Sequence, residues 1–170
     1  GHFGNYCGDC MGAPIRSEIW AALTPGYPDL ACKLAYEDAI VDHDGEGIWG
    51  ELFWASIQSE GFVNQDRDNL LQTGLSYIPA DSRTSKAVQA VLKWYQQDSD
   101  WLSVREKILA EFGHKNFTDA PQNVAFTVLG WLAGKGFGDA ICVAVNCGKD
   151  TDCTGATLGA IMGIVHGAEA

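Results

Sequence analysis

The chain has 170 residues, 46% of them apolar and 19% charged, enough for one globular domain with a sizeable core and too apolar for a disordered chain. Eleven Lys and Arg against 22 Asp and Glu give a formal net charge of −11. That balance excludes a phosphate-backbone binder and a polybasic membrane-surface protein, both of which work through basic side chains. It leaves cation binding and small-molecule chemistry open.

Residues 1–14 are rich in Gly and Cys and read as an irregular loop. No basic stretch followed by an apolar run opens the chain, so no signal peptide is expected. Residues 15–23 predict a short helix, stopped by Thr24-Pro25-Gly26. Pro28-Asp29 opens the next, with Leu30, Ala31, Leu34 and Ala35 on one face. Asp42-His43-Asp44-Gly45 breaks it. Ile48, Leu52 and Ala55 continue at helical spacing, and Trp49, Phe53 and Trp54 make that segment apolar almost all round. Such a helix is buried on several sides. Residues 66–78, 82–97 and 101–112 read as helices with one apolar stripe each, and 114–119 as a polar loop. Pro121 starts a helix whose face carries Val124, Val128, Trp131 and Leu132. Residues 140–145 are apolar enough for a buried strand, but helical neighbours on both sides favour a helix. The last helix runs from about Asp152 to His166. The sum is an all-α domain with short connections, one unit over residues 1–170. The weakly polar run 155–168 is too short to span a bilayer.

Six cysteines, at 7, 10, 32, 142, 147 and 153, read as reduced thiols of a cytoplasmic protein; a lone Cys7-x-x-Cys10 lacks the second pair a structural zinc needs. Four segments carry candidate chemistry. Asp150 and Asp152 stand two apart at the start of the last helix, with Thr151 and Thr154 beside them. Their oxygens suit a hard cation such as Mg²⁺; helix capping uses the same residue types. Within that helix, Gly155, Gly159, Gly163 and Gly167 recur every four residues, and each costs about 1 kcal/mol against Ala. The pattern predicts close backbone packing along the glycine face, which would hold the Asp turn rigidly. Asp42-His43-Asp44-Gly45-Glu46-Gly47 begins like a calcium loop, but its twelfth position is Phe53 and the bidentate acid is missing. His43 is then either a turn histidine or a substrate contact. The Gly-rich stretch 4–16, which includes Gly4, Asn5, Gly8 and Arg16, can cradle a phosphate with backbone N–H groups and offer Arg16 to the same anion. It is no Walker loop, since no Gly-Lys-Ser/Thr follows. Trp49, Trp54, Trp94, Trp101 and Trp131 read as core or interface, leaving Tyr6 or Trp20 for any adenine stacking.

Together these segments resemble the ADP-ribosylglycohydrolase family, the dinitrogenase-reductase-activating glycohydrolase type. The resemblance rests on Asn146-x-Gly148-x-Asp150-Thr151-Asp152 before a Gly/Ala-rich helix, on Thr24-Pro-Gly-Tyr-Pro28 through Asp42-His43-Asp44-Gly45, and on Gly4-Asn5 with Ile15-Arg16. It implies a compact orthogonal all-α fold and hydrolysis of the bond joining C1″ of ADP-ribose to a side chain or other acceptor. It implies a dinuclear Mg²⁺ or Mn²⁺ centre with Asp150, Asp152, Thr151 and Thr154 as ligands. Gly4, Asn5, Gly8, Arg16 and His43 would meet the ADP-ribose-bearing substrate. Cys153 stands where the family often places a liganding Thr, and a soft thiol is a poor Mg²⁺ ligand. No Thr-Asp-Asp occurs, so the chain matches the C-terminal portion of the domain, without the N-terminal helices and their half of the metal centre. The alternatives are therefore an enzyme completed by a further part, a second chain or self-association, and a silent ADP-ribose-binding module. No membrane or nucleic-acid partner is expected.

Overall fold

The computed structural model describes residues 6–167, so Gly4 and Asn5 lie outside the described residues. A 3-10 turn, Pro14–Arg16, leads into α1 (Ser17–Leu23), α2 (Pro28–Asp42), α3 (Gly45–Gly61), α4 (Arg67–Ser76), α5 (Arg83–Gln97), α6 (Trp101–Phe112), α7 (Ala120–Ala133), α8 (Phe137–Asn146) and α9 (Thr151–His166). Local chemistry sets several of these starts. Side chains of Asp44, Asp66, Ser82 and Asp100 accept from first-turn N–H groups of α3, α4, α5 and α6, filling donors that a helix leaves unpaired. Pro28 and Pro121 occupy first-turn positions of α2 and α7, where a missing N–H costs nothing.

Two helices form the centre. α3 is buried along nearly its whole circumference, as its all-round apolar pattern requires, and packs on α1, α2, α4 and α9. α7 is buried equally and packs on α5, α6, α8 and α9. Phe53, Trp54, Phe126, Leu129, Leu158 and Ile161 are fully buried where these layers meet. Trp49, Trp94 and Trp101 pack against that core from its edge. Residues 140–145 are helical, and no strand is present among the described residues. Among those residues, no helix is long and apolar enough to cross a membrane, and no cysteine is in a disulfide.

The glycine stripe of α9 does not do what its spacing suggests. A Cβ on Gly155 or Gly159 would meet side chains of α8, Val145 at 3.0 Å and Ile141 at 3.6 Å respectively. Gly163 faces open space, and Gly167 lies past the helix end at φ +78°, a left-handed position that suits glycine. The close backbone approach is made by α7 instead. A Cβ on Gly130 would stand 2.6 Å from the Cβ of Ala144, and one on Gly134 2.3 Å from the Cα of Ala140. Small residues on both helices let α7 and α8 touch there, while larger residues on the buried face of α9 make its contacts.

Candidate functional site

Asp150 is delivered by an unusual turn. After α8 ends, Gly148 and Lys149 take φ values of +84° and +67°. The left-handed region suits Gly148 and is costly for Lys149, by roughly 1 kcal/mol. The turn is then fastened from three sides. Arg105 Nε donates to the Cys147 carbonyl (2.9 Å), and Lys149 Nζ to the His114 carbonyl (3.0 Å). The backbone N–H of Asp150 donates to Oδ1 of Asn123 (3.1 Å). Asn123, fully buried on α7, also donates from Nδ2 to the carbonyls of Phe117 and Asp119, both at 2.8 Å.

At the start of α9, one ligand atom from each of Asp150, Asp152 and Cys153 lies within 4.8 Å of the others. The Asp150 carboxylate is 5% exposed and makes no capping hydrogen bond to the helix backbone; the Cys153 thiol hydrogen-bonds to it. Burial raises its pKa, and the Asp152 carboxylate adds to the shift. Burial also pushes the Cys153 thiol up, helped by Asp150, Asp152 and the more distant charge of Glu18 on α1. Glu18 is itself pushed up by burial. Thr154 is fully buried and its hydroxyl donates back to the Thr151 carbonyl at 3.2 Å. Thr151 is half-buried in the first turn. Two ionisable carboxyls on one turn, one of them buried, fit a single hard cation; the Cys153 thiol, hydrogen-bonded to Asp150, adds a soft donor to that set.

The Gly-rich loop lies alongside. Met11 N donates to the Thr118 carbonyl (2.8 Å) and Ala120 N to the Asp9 carbonyl (2.8 Å), so the loop is tied to the segment that Asn123 holds. The 3-10 turn after it touches α9. Gly8 is buried against the α2–α3 junction, its carbonyl accepting from Asp44 N at 3.1 Å. His43 is 7% exposed, with both ring nitrogens engaged. Nε2 accepts from Ala13 N (3.1 Å), which leaves Nδ1 to donate to Asp42 (2.7 Å). Arg16 donates from Nε to Asp38 (2.8 Å) and from both terminal nitrogens to Asp42 (3.0 and 2.9 Å). The Arg16 guanidinium holds the Asp42 carboxyl well below the usual range, and Asp42 in turn raises the Arg16 pKa. Arg16 and His43 therefore brace the loop through one shared carboxylate. Tyr6 is largely exposed, and Trp20 is half-buried beside the same turn.

Several residues that matter here were not singled out by sequence. Asn123 carries a signal in retrospect: it is an amide leading into an otherwise apolar helix. Glu46, which looked like part of a failed calcium loop, accepts from Arg83 N, Thr84 N and the Thr84 hydroxyl, and so caps α5. Asp119 is 3% exposed in a bidentate pair with Arg83, both contacts 3.1 Å. Glu51 is fully buried with neither carboxyl oxygen in a hydrogen bond, near Asp38 and Arg16; burial raises it to about 8.

No curated protein and no solved structure matches the chain. The family model described as ADP-ribosylglycohydrolase matches residues 2–170. With a helical fold throughout and a match over the whole described chain, the protein belongs to the ADP-ribosylglycohydrolase family.

Proposed function

We propose that the protein is a metal-dependent glycosidase that cleaves the C1″ bond of ADP-ribose attached to a protein side chain or other acceptor. The observation carrying this reading is the Asp150–Asp152 pair: two carboxyls converging at the start of α9, one of them buried on a turn whose backbone Asn123 fixes. Mg²⁺ or Mn²⁺ is the cation in this reading, held by Asp150 and Asp152, with the oxygens of Thr151 and Thr154 close by. When bound, such an ion polarises a leaving oxygen and makes a water acidic enough to attack near neutral pH. The chain's own residues supply position. Asn123 sets the height of the Asp150 backbone. The loop through Gly8, braced by Arg16 and His43, offers the surface for the ribosyl phosphates. Negative charge at this end favours the oxocarbenium-like transition state expected of glycoside cleavage.

The test is release of ADP-ribose from arginine- and serine-linked ADP-ribosylated proteins with Mg²⁺ or Mn²⁺, beside calorimetric titration of both ions. Asp150→Asn and Asp152→Asn should each lower turnover by on the order of 100-fold and weaken ion binding. Turnover and metal dependence equal to wild type in both variants would end the metal-ligand reading.

One observation favours a second reading. Only two carboxylates and a thiol converge here among the described residues, and a pair of divalent cations wants more acids. A silent module that binds ADP-ribose without cleaving it would show saturable, metal-independent binding and no product. A partner over the outer faces of α1 and α2, where Ile19, Leu23, Leu30 and Val41 are exposed, would complete the enzyme. Light scattering that gives a monomer at high concentration would remove a second copy of this chain as that partner.

A further inference from the structure

At the far end of α9, two clefts share one side chain, Arg67, at the start of α4. The larger, about 390 Å³, lies between the ends of α7 and α9 and the start of α8. Arg67, Lys135 and His166 line it, with no Asp or Glu among its lining residues. For a chain of net charge −11 that is a local reversal of sign. Gly136 and Phe137 line it at the start of α8, a helix without an N-cap side chain, whose N–H groups favour anions. Asp139 uses one donor of this loop, accepting from Lys135 N at 3.0 Å. Arg67 is steadied by donating to the Trp131 carbonyl at 3.2 Å.

The second cleft, about 320 Å³, runs from Arg67 between α4 and α5. Leucines and the half-buried Tyr95 make its walls, and the exposed amides of Gln72 and Gln96 stand at its rim. Asp68 sits beside Arg67 and accepts from its Nε at 3.5 Å. A slot of mixed lining, with leucines, an aromatic ring and two amides, suits a heterocyclic base, whose edge both donates and accepts. A carboxylate between base and phosphate suits ribose hydroxyls. Both volumes fall in the range of small-molecule sites.

We infer that these neighbouring clefts, which meet at Arg67, form a second ligand site, for a nucleoside mono- or diphosphate, with the base between α4 and α5 and the phosphates among Arg67, Lys135 and His166. It is separate from the proposed catalytic end: Asp152 and His166 are about 21 Å apart along α9 at 1.5 Å per residue. Either reading can fail without the other.

Calorimetry with AMP, ADP, adenosine and pyrophosphate, on wild type, Lys135→Glu and Gln96→Ala, tests it, with backbone NMR to place the ligand. ADP should bind saturably and shift amides of Arg67, residues 134–137 and His166. Lys135→Glu should weaken ADP and pyrophosphate by about tenfold, the loss of one charge-assisted contact. Gln96→Ala should weaken ADP and leave pyrophosphate unchanged. No saturable binding up to about 10 mM, where affinity falls below that of useful ligands, overturns the inference. So does ADP binding that Lys135→Glu leaves unchanged, or shifts confined to residues 148–154. Pyrophosphate binding as tightly as ADP overturns the nucleoside assignment.

Discussion

The two ends of α9 spend their polar groups in opposite ways. At the N-terminal end the groups that hold the Asp150 turn and the glycine-rich loop are committed to partners. Asn123 is shared among three backbone groups, Arg16 is clasped by two carboxylates, and His43 has a partner on each nitrogen. At the C-terminal end, Lys135 and His166 are exposed in an open cleft. The difference teaches what each end can do. A small cation needs few ligands held still, and a buried, cross-braced turn supplies them. An organic anion needs room and positive charge, which a rigid buried turn cannot give.

The sharpest way to break this comparison is Asn123→Ala. It leaves the Asp150 N–H without its partner and removes one of two donors from each of the Phe117 and Asp119 carbonyls, at a cost of about 3 kcal/mol, and should weaken cation binding 10- to 100-fold, roughly the loss seen when a supporting group is removed. Urea unfolding and Mn²⁺ titration measure both, and nucleotide binding at the other end should be unchanged. Glu51 gives the next effect. Its carboxyl is protonated in the fold up to about pH 8 and ionised in the unfolded chain above about 4.5. The folded state therefore holds the extra proton between those values, and stability falls as pH rises through the window, by up to about 1.4 kcal/mol per pH unit. Glu51→Gln should flatten that slope; melting curves at pH 5 and pH 8 that keep the wild-type difference would refute it. Gly130→Ala comes third. Its methyl would stand 2.6 Å from the Ala144 Cβ, so α8 must shift, at about 1–3 kcal/mol. Because α8 begins at the cationic cleft, nucleotide binding should weaken with it. The smallest effect has the opposite sign. Gly163→Ala meets nothing within 4 Å and should stabilise by up to about 1 kcal/mol through helix propensity, read as a rise in Tm.

Helix positions were legible because they depend on local chemistry. Pro28-Asp29 and Ser82 mark starts that the structure keeps, and the all-round apolar pattern of α3 announced its central place. The glycine stripe misled because spacing tells which residues share a face and says nothing of what faces them. The turn carrying Asp150 and Asp152 was legible as a carboxylate pair. Its support was not, since Asn123 lies 27 positions away and Glu51, Arg16 and Asp38 meet only through tertiary packing. Arg16 and His43 show the same limit: sequence marks them as polar residues in a glycine-rich setting, while their partners, Asp38, Asp42 and Ala13, depend on how α2 returns past the loop.

The cysteines set a practical consequence. Cys32 and Cys147 are buried with thiols raised to about 12, and Cys153 is pushed up further beside two acids. Cys142 is exposed on α8. A mild alkylating dye should mark Cys142 before those three, giving a fluorescent reporter on the helix that runs between the acidic turn and the cationic cleft, in a protein otherwise left as nature made it.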